Sequence, residues 1–168
     1  MADIEYQFGD SFVGADVCLF VAGGFVVVRS YFIFSFDPMM KIVLIGAGNV
    51  ATHLGIALQK AGCLILQVYS RTEESASALA DRLLVDYTIV PDEIRRDADL
   101  YIVALKDAVL RQLAPVLVKG REQALFVHTA GSMPMDLWKG LVKRYGVLYP
   151  MQTFSKPVSY THLTLPTT

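Results

Sequence analysis

From Met40 onward the chain alternates short apolar runs with longer amphipathic stretches. Lys41 opens the β-branched run Ile42 to Ile45, which reads as a strand buried on both faces. A helical pattern follows from about Asn49 to Ala61, with Val50, Leu54, Ala57, Leu58 and Ala61 on one face and Gly62 as its stop. The alternation then repeats. Cys63 to Tyr69 predicts a second strand, and Thr72 caps a helix with Glu73 and Glu74 in its first turn and Ala76, Leu79, Ala80 and Leu83 as its buried stripe. Tyr87 to Val90 is a short third strand ended by Pro91, after which Asp92 opens a brief charged helical turn. Leu100 to Leu105 is a fourth strand. Asp107 caps a helix through Val109, Leu110, Leu113 and Leu117, with a bend expected at Pro115. Ala124 to Thr129 is a fifth strand, Pro134 starts a helix to about Tyr145, and Gly146 to Tyr149 makes a sixth strand.

Strands alternating with helices through short loops specify an α/β protein with a doubly wound parallel sheet, covered by helices on both faces. In the numbering of those six strands, the expected order is 3-2-1-4-5-6, with a ligand cleft at the switch beside the first strand. That architecture is the Rossmann fold.

The first strand runs into Gly46-Ala47-Gly48-Asn49-Val50-Ala51, a G-x-G-x-x-A turn that opens the first helix. Gly46 permits a tight turn, Gly48 lets the backbone approach a pyrophosphate, and Ala51 lets the helix sit close to the strand. The helix start supplies unpaired N–H groups and the positive end of its dipole. The alternative is a glycine-rich turn in some other α/β protein; the strand before it and the helix after it favour dinucleotide binding.

The end of the second strand speaks to the choice of dinucleotide. A site for NAD carries an acid there to bind the ribose 2′-hydroxyl. This chain has Tyr69-Ser70-Arg71-Thr72, with no acid before Glu73. Arg71 can pair with a 2′-phosphate bidentately, and the Ser70 and Thr72 hydroxyls can add bonds, which favours NADP over NAD. Read blandly, Arg71 is a solvated loop residue and Thr72 only a cap. Ala104-Leu105-Lys106 follows the fourth strand, where Lys106 is either a ligand for the cofactor ribose or a substrate carboxylate, or a surface lysine beside a cap. His128-Thr129-Ala130-Gly131-Ser132 follows the fifth strand. The types suit a nicotinamide site, so Lys106, His128 and Ser132 are the candidates for chemistry, and His128 and Thr129 for cofactor contact. The ordinary alternative for a lone histidine is a structural one. His53 reads as structural or exposed, and Asp92, Asp97 and Asp99 as caps and solvated face.

Residues 1–39 do not share this pattern. Val17 to Val28 is apolar apart from Gly23-Gly24, and an aromatic run follows Arg29. A signal peptide would need a basic start, but Asp3, Glu5, Asp10 and Asp16 come first. Val17 to Phe36 reaches the roughly 20 residues of a membrane helix but holds Arg29 and two glycines. The reading preferred is an apolar extension outside the fold, with the domain occupying residues 40–155.

Across its 168 residues the chain has 15 Lys and Arg against 16 Asp and Glu, a net charge of −1 with no basic block. That argues against nucleic acid or an anionic membrane as partner. Cys18 and Cys63 lie far apart with no metal spacing, which suits reduced thiols in the cytoplasm, and no metal site is expected.

Several of these stretches together carry a resemblance: Ile45-Gly-Ala-Gly-Asn-Val-Ala51, Tyr69-Ser-Arg-Thr72, Ala104-Leu-Lys-Asp107, His128-Thr-Ala-Gly-Ser132 and Leu148-Tyr-Pro-Met-Gln-Thr-Phe-Ser155. From Met40 to Lys156 the chain resembles the N-terminal half of bacterial Rossmann-like proteins that carry a helical C-terminal domain of unknown function. These are relatives of pyrroline-5-carboxylate reductase, 2-dehydropantoate 2-reductase and the deazaflavin-dependent NADP reductases. The resemblance implies an NADP-linked oxidoreductase acting on a small molecule, completed by a helical domain after Ser155 and commonly built as a homodimer. The chain departs from the family there: residues 156–168 have no helical period and resemble translated adaptor read-through, so the helical domain is expected to be absent and the fragment inactive alone. The alternative is a genuine short tail on a one-domain protein. Three functions remain in play: the cofactor half of a hydride-transferring enzyme, an NAD(P)-binding sensing or regulatory module without catalysis, and a membrane-tethered protein using Val17 to Phe36.

Overall fold

The elements follow from where apolar residues can be buried. A computed structural model describes residues 16–21, 24–29, 40–60 and 62–150. In chain order they form β1 (Asp16–Val21), β2 (Gly24–Arg29), β3 (Lys41–Ile45), α1 (Asn49–Lys60), β4 (Leu64–Tyr69), α2 (Glu73–Leu83), β5 (Asp86–Thr88), β6 (Leu100–Val103), α3 (Asp107–Val118), β7 (Leu125–His128) and β8 (Arg144–Pro150). Short 3-10 turns occupy Pro91–Glu93 and Met135–Trp138.

β3 lies at the centre, paired in parallel with β4 on one side and β6 on the other. Its side chains alternate between faces, so two separate cores form around it. Ile42 and Leu44 join Leu54 and Leu58 of α1 and Leu79 and Leu83 of α2. Val43 and Ile45 join Leu110 and Leu117 of α3, together with Phe126 and Trp138. All four β3 residues are shut off from solvent, and burying each stabilises the fold by roughly 1.5–3 kcal/mol. The parallel strands run β8-β7-β6-β3-β4-β5. Numbered from β3, that is the 3-2-1-4-5-6 order expected of a Rossmann fold.

At the opposite end of the sheet from the glycine turn, Arg121 is a buried cation with no carboxylate partner among the described residues. It donates instead to main-chain carbonyls, including Leu117 O at 2.9 Å, Lys119 O at 3.1 Å, Ile94 O at 2.5 Å and Arg95 O at 3.2 Å. Those bonds tie the end of α3 to the segment that precedes β6.

Four expectations need correction. Residues 16–29 do not all lie outside the fold. β1 and β2 pair antiparallel, and β1 pairs antiparallel with β8, Val17 opposite Pro150 and Val21 opposite Gly146. A bare β8 edge would leave a row of unpaired backbone groups, and an apolar β-branched run is suited to cover it. The stretch considered as a membrane helix therefore begins as two strands, and no helix among the described residues is long and apolar enough to cross a membrane.

The helix expected from Pro134 to Tyr145 is only the 3-10 turn Met135–Trp138, and β8 starts early, at Arg144. Trp138 is fully buried, which anchors the turn, and Gly140 at φ +81° turns the chain out of helical geometry. Third, α3 runs through Pro115 without a break; Lys106 holds its N-cap position and Asp107 is its first residue. Last, the third strand is shifted to Asp86–Thr88, leaving Ile89 and Val90 exposed beyond its end. Ala61 of the first helical face, the tail at 156–168 and the side chain of Cys18 fall outside the described residues.

Candidate functional site

The parallel register lines up one rim of the sheet. Thr88 lies opposite Tyr69, Tyr69 opposite Ile45, Ile45 opposite Val103, Val103 opposite His128 and His128 opposite Val147. The loops that leave these strands therefore meet along a single edge, the carboxyl edge where α/β sheets take ligands.

The glycine turn sits in the middle of it. Gly46 adopts φ +113°, a conformation that side chains disfavour, and donates its N–H to Tyr69 O at 2.8 Å. A Cβ at Gly46 would collide with the Ala104 carbonyl and stand 2.9 Å from its carbon. Ala104 in turn donates to Ile45 O at 2.7 Å, so the turn is stitched to both neighbouring strands. Gly48 differs. A Cβ there would meet nothing within 4 Å, so its backbone faces open space. Its carbonyl accepts from Thr52 N at 3.0 Å and Thr52 Oγ1 at 2.9 Å, which fixes the first turn of α1. That turn carries no acidic residue, so nothing in it offsets the positive end of the helix dipole. Ala47 and Val50 are half-buried, Asn49 is exposed, and Ala51 packs in the core as expected.

Gly55, one helical turn past Ala51, shares the close-packing role first given to Ala51. Sequence reasoning passed over it, although a glycine inside a helical pattern is itself a signal of close approach.

After β4, Ser70 is half-buried and donates its N–H to Thr88 O at 3.3 Å, while Arg71 and Thr72 are exposed. Burial pushes the Tyr69 phenol above its ordinary pKa, and the nearby Arg71 guanidinium pulls it back. Arg71 forms no ion pair among the described residues. Thr72 holds the N-cap position of α2 but makes no side-chain cap bond.

After β6, Ala104 and Leu105 are half-buried and Lys106 is exposed beside the start of α3. The turn after β7 comes back against α3. Ser132 Oγ donates to an Asp107 carboxylate oxygen, and Arg111 Nε donates to Met133 Sδ at 3.4 Å. Asp107 had been read only as a cap; its partner Ser132 is remote in sequence, which is why the pair was missed. Thr129 is half-buried and donates its N–H to Val103 O at 3.1 Å.

His128 requires a correction. Expected at the mouth of the cleft, it is 0 % exposed, and neither ring nitrogen has a hydrogen-bond partner. Burial lowers its pKa, partly opposed by the main chain at Pro134 and Ala130 and by the Asp107 charge. An imidazole sealed in this way cannot touch a ligand; the main chain of the following turn, at Ala130 and Pro134, and the Trp138 ring lie beside it. Lys106 and Ser132 remain as exposed polar groups on that side of the rim. Among the described residues no cluster of His, Cys, Asp and Glu could hold a metal ion.

This geometry matches that of known proteins. A protein of Bacteroides fragilis described as a candidate NADP oxidoreductase is 55% identical, with a TM-score of 0.67, over 70% of this chain and 46% of that one. Prephenate dehydrogenase from A. aeolicus, solved with NAD+ and hydroxyphenyl propionate, is 21% identical with a TM-score of 0.62, over 73% of this chain and 45% of that one. Arogenate dehydrogenase from Synechocystis is 20% identical with a TM-score of 0.51, over 60% and 38% of the two chains. These last two share the fold. The chain spans less than half the length of each of these structures. No curated protein matches the chain. Residues 36–151 match the Rossmann-like domain family, and the chain belongs to that family.

Proposed function

We propose that this chain is the cofactor-binding part of an NADP-linked oxidoreductase. The observation that carries the reading is the open space over Gly48 at the start of α1, with Arg71 exposed on the same rim and free of a carboxylate partner among the described residues. The main chain of Gly46, Ala47, Gly48, Asn49, Val50 and Ala51 would hold the pyrophosphate through helix N–H groups. Ser70, Arg71 and Thr72 would hold the 2′-phosphate. Ala104, Leu105, Lys106 and Thr129 would line the nicotinamide end. When bound, the cofactor would supply or take a hydride, and Lys106 and Ser132 would orient a small-molecule substrate.

The likeness to the Bacteroides protein supports NADP, and the additional length of that protein supports a further domain that would close the nicotinamide face and pair two copies. The free, buried thiol of Cys63 fits a cytoplasmic setting. The test is fluorescence titration of the full chain with NADPH and NADH. A charge-assisted pair worth about 1.5–3 kcal/mol makes NADPH bind tighter by roughly an order of magnitude or more, and Arg71→Ala should erase most of that gap. Equal affinities in the unaltered chain would sink the assignment to NADP.

A further inference from the structure

We propose that Ser132 and Asp107 form a latch that holds the turn from Thr129 to Pro134 shut over His128, and that releasing it brings the imidazole to the rim. Only the identity of the ligand met there rests on the dinucleotide reading above.

Two observations carry the latch. The first is the manner in which the turn is held. The chain reverses after β7 with Met133 N donating to Ala130 O at 3.1 Å. Consecutive residues of the reversal then reach two residues one helical turn apart on α3: Ser132 to Asp107, and Met133 to Arg111. Ser132 and Asp107 are both exposed, so water competes for their bond and the latch can open without unpacking the core.

The second observation is what lies underneath. His128 Nδ1 and Nε2 and Trp138 Nε1 are all buried without a hydrogen-bond partner. The two rings are neighbours, with centroids 6.2 Å apart. Buried polar atoms without partners are uncommon and costly, and three in one place single it out. A turn that lifts away lets water or a ligand satisfy the imidazole. His128 ends β7 opposite Val103 of β6, whose following residues are Ala104, Leu105 and Lys106. The released ring therefore emerges among the groups that line the nicotinamide end. The closed turn hides the polar group best suited to that position.

The test is the rate at which diethyl pyrocarbonate modifies each histidine of the cofactor-free full chain, mapped by peptide mass spectrometry. His128 should react at least about tenfold more slowly than in the denatured chain, since reaction waits on local opening. Ser132→Ala and Asp107→Ala should each speed it several-fold while His53 is unchanged. Asp107→Asn keeps an acceptor for Ser132 and should stay close to the wild-type rate. Equal His128 rates in all four proteins would overturn the latch. So would fast reaction in the wild type, or a parallel rise at His53, which marks general loosening. NADPH binding is read separately, by its fluorescence. A chain that binds no NADPH yet shows Ser132-dependent protection of His128 would defeat the cofactor assignment while supporting the latch.

Discussion

Gly55 lies between Leu44 and Leu83: a Cβ added to it would stand 2.8 Å from Leu44 Cδ1 and 2.9 Å from Leu83 Cδ1. This contact sets how closely α1 approaches β3, and so where the start of α1 sits relative to the glycine turn. Gly55→Val should destabilise the chain by about 1–3 kcal/mol through overpacking, visible as a fall of several degrees in the thermal midpoint. Gly55→Ala should cost less, because methyl ends can shift and alanine favours a helix by up to about 1 kcal/mol. An unchanged midpoint for valine would show that α1 is free to move outward.

Gly46 and Gly48 should respond oppositely to the same change. Gly46→Ala forces a side chain into the Ala104 main chain at a positive φ, so both stability and cofactor binding should fall. Gly48→Ala meets nothing in the protein and should leave the thermal midpoint within a degree or two, while weakening NADPH binding on the order of tenfold or more because its methyl occupies the pyrophosphate's place. Calorimetry beside a fluorescence titration separates the two. Equal NADPH affinity in Gly48→Ala would mean that the pyrophosphate lies elsewhere.

The buried imidazole should also leave its mark on acid stability. Burial lowers the folded-state pKa of His128, so the unfolded chain takes up the proton first. Its contribution is fully present above the ordinary value of about 6.5 and is lost as pH falls below it, by at most about 1.4 kcal/mol per pH unit. His128→Phe should remove that slope, leaving a shallower decline in urea midpoint between pH 7 and 5. Parallel curves for the two proteins would show that His128 takes up its proton at the same pH in the folded and the unfolded chain.

Much of this arrangement was legible along the chain, because burial on both faces of β3 writes an uninterrupted apolar run and because a tight turn over a helix start needs small residues. The strand order followed from the Rossmann pattern that alternating strands and helices specify. What escaped depends on contacts between distant positions. Nothing local distinguishes a helix after Pro134 from the short turn that buries Trp138, since both use an apolar residue at helical spacing. The same holds for His128, whose type suits a cleft and a sealed pocket equally. Asp107 fits the first turn of a helix and equally a hydroxyl partner, and only the folded turn after β7 brings Ser132 to it. The hairpin of β1 and β2 was missed because an apolar run with a glycine pair reads equally as strand or loose extension until β8 presents an edge.

The central position of β3 has a consequence for how the domain comes into being. Of the six parallel strands it is synthesised first, yet it needs partners on both sides. β4 arrives soon, after a single helix. Ile42 and its other partner, Leu100, are separated by all of α1, β4, α2 and β5. Closing that longer loop costs little more in entropy, about 0.6 kcal/mol per doubling of length, but it cannot begin until β6 has left the ribosome. Until then β3, whose residues Ile42 to Ile45 are all apolar, carries one open edge. A pause in translation placed just before β6 appears should therefore favour aggregation through the open edge of β3 more than a pause after β6 has docked.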